Sequence, residues 1–338
     1  MPFLTALFDL NGTATRKQAL RVFLVLLLAL VSLVLIRAFS PSAGRFADPV
    51  VGMVVVWWFA TMVRRLHDAG HSGGWALFLL VPYVGVLVAI WVLMLRGDRP
   101  FNNSHAGLRA AGTAGLVLMA VLSLSRVFWA PYWSASEAMK PNLLVGDYLV
   151  TRYAQPENLV RGDVVVFRHP VTGVPMVARL IGLSGDLIQM ANGAVVLNDA
   201  VLGQADAGMM TEVFLPQGPM RLLPRCTNGV VGIGGRCDLA LLRETLPDGR
   251  SYLTGNLGDL GFADTTDTFT VPEGQLFFLG DHRDNSADSR LAQAAGGLGF
   301  VPAENVIGRV TRVVFSSAGT YLWQIWDWRG DRIFKAVE

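Results

Sequence analysis

The feature that most constrains this chain is a series of apolar runs in its first third. Val22 to Ile36 lies between Arg21 and Arg37, and Val50 to Val63 is followed by "RRLHDAGHSGGW". Gly73 to Leu95 carries no charge at all, and Ala110 to Ser125 lies between Arg109 and Arg126. A helix needs about 20 apolar residues to cross a bilayer. Only the third run reaches that length unaided, so the others need polar flanks or snorkelling arginines. The first could be read as a cleavable signal peptide, but further apolar runs and the lack of a small-residue cleavage site favour an anchor. The loop at 96–109, "RGDRPFNNSHAGLR", holds three arginines and belongs on the cytoplasmic side, which puts everything after Arg126 on the far side. Arg16, Lys17 and Arg21 pull the start of the chain to the cytoplasm as well. Both preferences are met if the short second run lies along the interface.

The composition agrees: 52% of the residues are hydrophobic and only 16% charged, apolar even for a large soluble protein. A net charge of +2, with no run of Lys and Arg interleaved with aromatics, excludes nucleic acid as a partner. The lysines are Lys17, Lys140 and Lys335, and the other basic residues are arginines. That scarcity limits chemistry, because a buried lysine can serve as a general base whereas arginine cannot. Cys226 and Cys237 flank a Gly-rich loop and either close a disulfide in an oxidising compartment or remain free thiols.

From about Pro131 the texture changes to short β-rich segments broken by Gly, Pro and Asn, among them "DYLVTRY", "DVVVFRHP", "MVARLIGL" and "GQLFFLGD". Asn192-Gly193 between two apolar runs predicts a hairpin, because both residues tolerate positive φ. No helical period of useful length interrupts these strands before the C-terminus.

Four stretches of this part together resemble signal peptidase I: "SEAMKPNLLVGDYLV", "RGDVVVFRHP", "ARLIGLSGD" and "GDHRDNSADSR". The ending "GFVPAENVIGRV" is similar as well, and the resemblance runs from about Arg126 to Phe315. It implies a membrane-anchored β-domain facing the periplasm, in which a serine attacks the peptide carbonyl and a lysine takes its proton. Such a lysine works near neutral pH only where an apolar pocket disfavours its ammonium form. The substrate would lie as an added strand along a sheet edge.

The register of the resemblance places the nucleophile directly before Met139 and three residues before Pro141. That position is Ala138. The lysine position, directly before Arg179, is Ala178. The supporting matches remain: Ser136 at the oxyanion site, Ser286 as the residue orienting the lysine, and Arg179, Asp281, Asp288 and Arg290 as charged braces. Arg179 is a candidate partner of Asp281. Gly146 and Asp147 close the nucleophile box, and these braces equally suit a role in holding tight loops. Ser134 and Ser136 lie too far along an extended segment to replace the missing hydroxyl, since two residues span about 7 Å. Lys140 is expected to face solvent, and His169 and His282 to sit in loops. No metal-ligand spacing and no cofactor motif occur.

Losing the nucleophile or base of a serine peptidase removes roughly six orders of magnitude in turnover. The expectation is therefore an inactive homologue that binds extended peptides or a membrane-protein partner. An active signal peptidase with a displaced or deliberately removed dyad is the rival, and an assembly factor or subunit of a membrane complex is a third reading. Further departures from the family at Ala135, Glu137, Asn142 and Ser184 read as relaxed constraint, since a deliberate knockout touches only the reacting residues.

"LNGTATRKQALRVFL", "RRLHDAGHSGGWALFLLVPYVG" and "GDRPFNNSHAG" resemble the inner-membrane family known as domain of unknown function 805. Arg64, Arg65, His67 and Asp68 within it form either a buried polar site or a charged turn at the lipid headgroups. The expected organisation is a multi-span module at 1–109, a transmembrane anchor at 110–130 and a signal-peptidase-like β-domain at 131–338. The fold class is mixed, with a helical transmembrane part and a mostly-β part, in a bacterial inner membrane with the β-domain on the periplasmic side.

Overall fold

Thr15 and Gln18 cap each other at the start of the first helix. The Thr15 hydroxyl accepts from Gln18 N–H at 3.3 Å, and the Gln18 side chain accepts from Thr15 N–H at 2.9 Å. The computed structural model describes residues 7–40, 43–81, 83–97, 106–258, 261 and 263–337. Contacts divide the chain into two units, Met1–Phe128 and Trp129–Glu338.

In the first unit the capping box lets Arg16, Lys17 and Gln18 join the helix, so the first run grows into α1, Arg16–Phe39, of 24 residues. The second run becomes α2, Gly44–Asp68, of 25 residues. Each is about 36 Å long or more, and both are long and apolar enough to cross a bilayer. Along α1 only Ala19, Val22 and Leu26 are buried, while Leu28 and Val34 are about two-thirds exposed. A helix this apolar and this uncovered suits lipid rather than water.

Two expectations are corrected here. The third run is not one long span: it breaks into a 3-10 helix, Gly73–Leu80, and α3, Val84–Met94, of 11 residues. The sequence places Pro82 between them, and Tyr83 takes a positive φ of 63°. A proline lacks the N–H a continuing helix needs and biases its predecessor away from helix. The second run, read as an interfacial segment because it is short, has span length once its flanks are helical. The fourth run forms α4, Ala106–Ser125.

Arg65 is fully buried, ion-paired with Asp68 and bonded to the Leu95 carbonyl, and His67 is buried beside it. For these two residues the packing is that of a buried polar site, whereas Arg64 and Asp68 are half-buried. Most of "GDRPFNNSHAG" lies outside the described residues.

The second unit is mostly β. An eight-stranded antiparallel sheet runs β1 (Trp129–Trp133), β2 (Asp147–Tyr153), β14 (Val306–Ser316), β3 (Val164–Arg168), β4 (Pro175–Gly182), β12 (Gln275–Leu279), β13 (Val301–Pro302), with β15 (Lys335–Ala336) also on β14. A four-stranded sheet joins β11 (Phe269–Thr270), β5 (Leu187–Ala191), β6 (Ala194–Leu197) and β7 (Ala200–Val201). A third joins β10 (Ser251–Asn256), β9 (Arg236–Thr245) and β8 (Gly203–Val213). Asn192 and Gly193, with φ of 49° and 81°, close the β5–β6 hairpin as their sequence predicts.

Strand alternation serves two cores. Ala178 and Leu180 of β4 pack with Leu276 and Phe278 of β12, Met139 and Leu143 in one, where Phe167 and Phe278 stack at 4.3 Å. Ile181, Phe277 and Leu279 enter the other. The end of the chain holds short 3-10 turns, Ile325–Asp327 and Gly330–Arg332, and exposes Tyr321, Trp323, Ile325, Trp326 and Phe334.

Candidate functional site

The site assembles where β1, the turn at 138–142, β4 and the loop after β12 meet. On β4 and β12, Arg179 lies opposite Leu279, so continuing the register by one residue sets Ala178 beside Gly280. A Cβ on Gly280 would collide with the Ser286 hydroxyl and lie 2.7 Å from the Ala138 carbonyl oxygen. Glycine is needed there because Ala138 and Ser286 close in on that backbone. The Ala138 carbonyl also accepts the His282 N–H at 2.9 Å. Ala138, Ala178 and Ser286 therefore converge on one place, with Ala178 buried and the other two half-buried.

Ser136 is exposed, and its carbonyl accepts from the buried Ser134 hydroxyl at 3.3 Å. The chain from 138 to 142 is a turn, not the extended segment assumed from sequence. Met139 is in the core, Pro141 is half-buried, and Gly146 takes a φ of 87° where a Cβ would strike the Ser317 carbonyl. Asp147 accepts from Leu144 N–H at 2.8 Å and from Arg332 Nε at 2.9 Å, pinning the turn to the C-terminal segment.

Lys140 is the plainest correction. It is buried, not solvent-facing: its Nζ donates to Glu137 Oε1 at 2.9 Å and to Glu212 Oε1. Glu137 Oε2 in turn accepts from Arg225 N–H at 3.3 Å and Asn285 Nδ2 at 3.2 Å. Glu212 Oε2 accepts from Gln217 at 2.7 Å, and Gln217 from Arg329 at 2.9 Å. The Lys140 ammonium lies between two carboxylates, a charge spent on holding the turn. Glu137 and Lys140, three residues apart with opposite charge, gave a faint signal; Glu212, on a distant strand, gave none.

Arginine forks brace the floor. Arg179 donates Nε and Nη2 to the two oxygens of Asp281 at 2.6 and 2.8 Å, donates Nη1 to the Gly162 carbonyl at 2.7 Å, and stacks over Tyr252 at 4.0 Å. Burial opposes its charge, but Asp281 outweighs it and raises the guanidinium above its ordinary value. Asn142 bonds Asp281 at 2.7 Å from the nucleophile turn. Arg290 grips Asp288 with two bonds of 2.8 Å, and Asp288 accepts Gly280 N–H at 3.0 Å.

Arg283, Glu244 and Tyr252 form a further buried group that sequence reasoning missed. Arg283 donates to Glu244 at 2.6 Å, and the Tyr252 hydroxyl donates to the same oxygen. Burial opposes the Glu244 carboxylate, yet Arg283 holds it below the usual range, while burial and Glu244 push the Tyr252 phenol well up.

His282 is wholly buried, and neither ring nitrogen has a hydrogen-bond partner among the described residues. Burial, then the charges of Lys140 and Arg225, push its imidazole down to about 4. His169 holds its loop, accepting from Val171 N–H at 3.1 Å. Cys226 and Cys237 form a disulfide with Cα atoms 5.1 Å apart, settling the choice left open by sequence. Among the described residues no three His, Cys, Asp or Glu side chains gather as a metal site. A cavity of about 500 Å³ lies beside Arg179, Asp163, Arg250 and Arg309, but neither Ala138 nor Ser286 lines it.

A mostly-β domain in which Ala138, Ala178 and Ser286 meet at Gly280 above buried arginine–carboxylate forks is what this geometry defines. The family described as "Signal peptidase, peptidase S26" matches residues 108–315, and the chain belongs to it. Residues 7–105 match a second family, "Protein of unknown function (DUF805)". Signal peptidase I of Rickettsia prowazekii (strain Madrid E) is 30% identical over 258 residues, covering 67% of this chain and 85% of that protein. Signal peptidase I of Rickettsia typhi (strain ATCC VR-144 / Wilmington) is 31% identical over 243 residues, covering 62% and 80%. A solved signal peptidase I from Enterococcus faecalis V583 aligns with 46% of this chain and 97% of its own, at 23% identity and a TM-score of 0.24.

Proposed function

We propose that this signal-peptidase-like protein is catalytically silent and uses the old groove to hold an extended peptide or a membrane-protein partner. One observation carries the reading. The residues at the converging positions are Ala138 and Ala178, and the nearby amine, Lys140, is tied between Glu137 and Glu212. A serine peptidase without attacking hydroxyl and base loses roughly six orders of magnitude in turnover.

The groove has a natural docking edge. β1 is the end strand of the large sheet and leads into Ser134 to Ala138, so a peptide added along it would run toward the former scissile position. In this reading residues 1–109 are a membrane module, 110–130 an anchor and 131–338 the peptide-holding domain on the periplasmic side of a bacterial inner membrane. The disulfide suits an oxidising compartment, and exposed Trp323, Trp326 and Phe334 suit contact with a lipid surface.

The test is full-length protein in liposomes with a preprotein substrate and a photo-crosslinking extended peptide. Wild type should give crosslinks and no mature product. Product from A138S/A178K but not from wild type supports a silent groove, while wild-type cleavage at a catalytic rate overturns it.

A further inference from the structure

We propose that Arg21 and Arg64, at one end of the α1–α2 hairpin, form a binding site for a phosphate-bearing anion. The two arginines line a cavity of about 300 Å³ together with Thr13, Gln18, Trp57 and Thr61. Among the described residues no carboxylate lines it, and the charge of Asp9 reaches Arg64.

The depth of the site points to a headgroup. Arg21 directly precedes the uncharged stretch Val22 to Ile36, and Arg64 directly follows the uncharged stretch Pro49 to Val63. The short connection between α1 and α2 makes them antiparallel, so both boundaries fall at the same level. That level is where apolar helix gives way to polar residues, the depth of lipid phosphates.

Arg64 is only partly committed within the protein. Arg64 Nη2 donates to the Thr61 hydroxyl at 3.2 Å, while its Nε is buried with no hydrogen-bond partner among the described residues. Thr61 donates its proton to the Trp57 carbonyl at 2.8 Å. The Arg64 carbonyl holds Ala14 N–H at 3.1 Å, and the Thr15–Gln18 capping box fixes the segment that carries Thr13. Two other arginines of these helices are committed: Arg37 grips Asp48 at 2.7 and 2.9 Å, and Arg65 is held by Asp68 and the Leu95 carbonyl. Two guanidinium forks with neutral hydroxyl and amide neighbours match the acceptor oxygens of a phosphate.

The inference rests on the two long helices crossing a membrane and is independent of whether the β unit is silent. Its test is the full-length protein in mild detergent, read by native mass spectrometry and thermal melting. The probes are phosphatidylglycerol, phosphatidylcholine and inorganic phosphate. Wild type should retain phosphatidylglycerol over phosphatidylcholine. The preference should fall roughly fivefold in R21Q and about 30-fold in R21Q/R64Q, and stay unchanged in R37Q. Arg21 is exposed, so R21Q carries the test if R64Q fails to fold. A lipid preference that inorganic phosphate does not displace assigns the headgroup as source. A phosphate-induced rise in melting temperature that the double variant lacks, without lipid preference, assigns a free phosphate. Equal retention of both lipids with no response to phosphate, or unchanged behaviour of R21Q/R64Q, overturns the site.

Discussion

Lys140 reaches back three residues to Glu137, with Nζ 2.9 Å from Oε1, and the pair is buried in the turn that carries Ala138. Glu212 of β8 closes on the same ammonium from the other side. The turn is thereby locked from within by charge. Removing the cation leaves two carboxylates in a dry place, so Lys140→Met should cost about 3–5 kcal/mol. Adding Glu137→Gln and Glu212→Gln should recover much of that loss. Thermal melts of the single and triple variants decide it; a surface-like effect within about 0.5 kcal/mol for Lys140→Met would contradict the burial.

Arg179→Lys tests whether the brace under the site depends on shape or on charge alone. The guanidinium fork serves both Asp281 oxygens, the Gly162 carbonyl and the Tyr252 face at once. A lysine keeps the charge but cannot make that planar contact. Arg179→Lys should lose about 2 kcal/mol or more, and Arg179→Gln more still, because Asp281 is then buried without its ion pair. Equal melting of Arg179→Lys and wild type would show that charge alone suffices.

These two pairs also show where sequence was readable and where it was not. The family resemblance singles out Ala138, Ala178 and Ser286, while their meeting follows from the β4–β12 pairing and the close approach at Gly280, which residue type alone does not announce. Asn192-Gly193 announced its hairpin because positive φ is written in residue type. The helix lengths are not legible in hydropathy alone, which does not show that a capping box carries the first helix through Arg16 and Lys17, nor where the third run breaks. The burial of Lys140 is illegible in the sequence for a related reason. Its burial depends on Glu212, which only the fold brings near.

The Cys226–Cys237 bridge closes a short loop, with a sequence separation of 11. Constraining such a loop in the unfolded chain is worth about 3 kcal/mol in the loop-entropy picture. Full reduction, or C226A/C237A, should lower stability by that order. Unchanged melting under reducing conditions, with free thiols confirmed by alkylation, would count against it.

His282 gives the clearest pH dependence. Its ring is buried beside Lys140 and Arg225 and its folded-state value is about 4, against 6.5 for an ordinary imidazole. The sign follows from which state binds the proton first. Above about pH 6.5 both folded and unfolded chains hold the ring neutral, and its titration contributes no difference. As pH falls from 6.5 toward 4 the unfolded chain takes up the proton while the folded one does not, so stability drops. The gap corresponds to a loss of about 3 kcal/mol, complete near pH 4. Carboxylates also titrate in the lower part of that window, so the informative quantity is the difference between wild type and His282→Asn. The wild-type melting temperature should fall more steeply than that of His282→Asn between pH 6.5 and 4, with the two curves parallel above pH 7. Parallel curves throughout would mean that the ring is not shielded from protons as its packing implies.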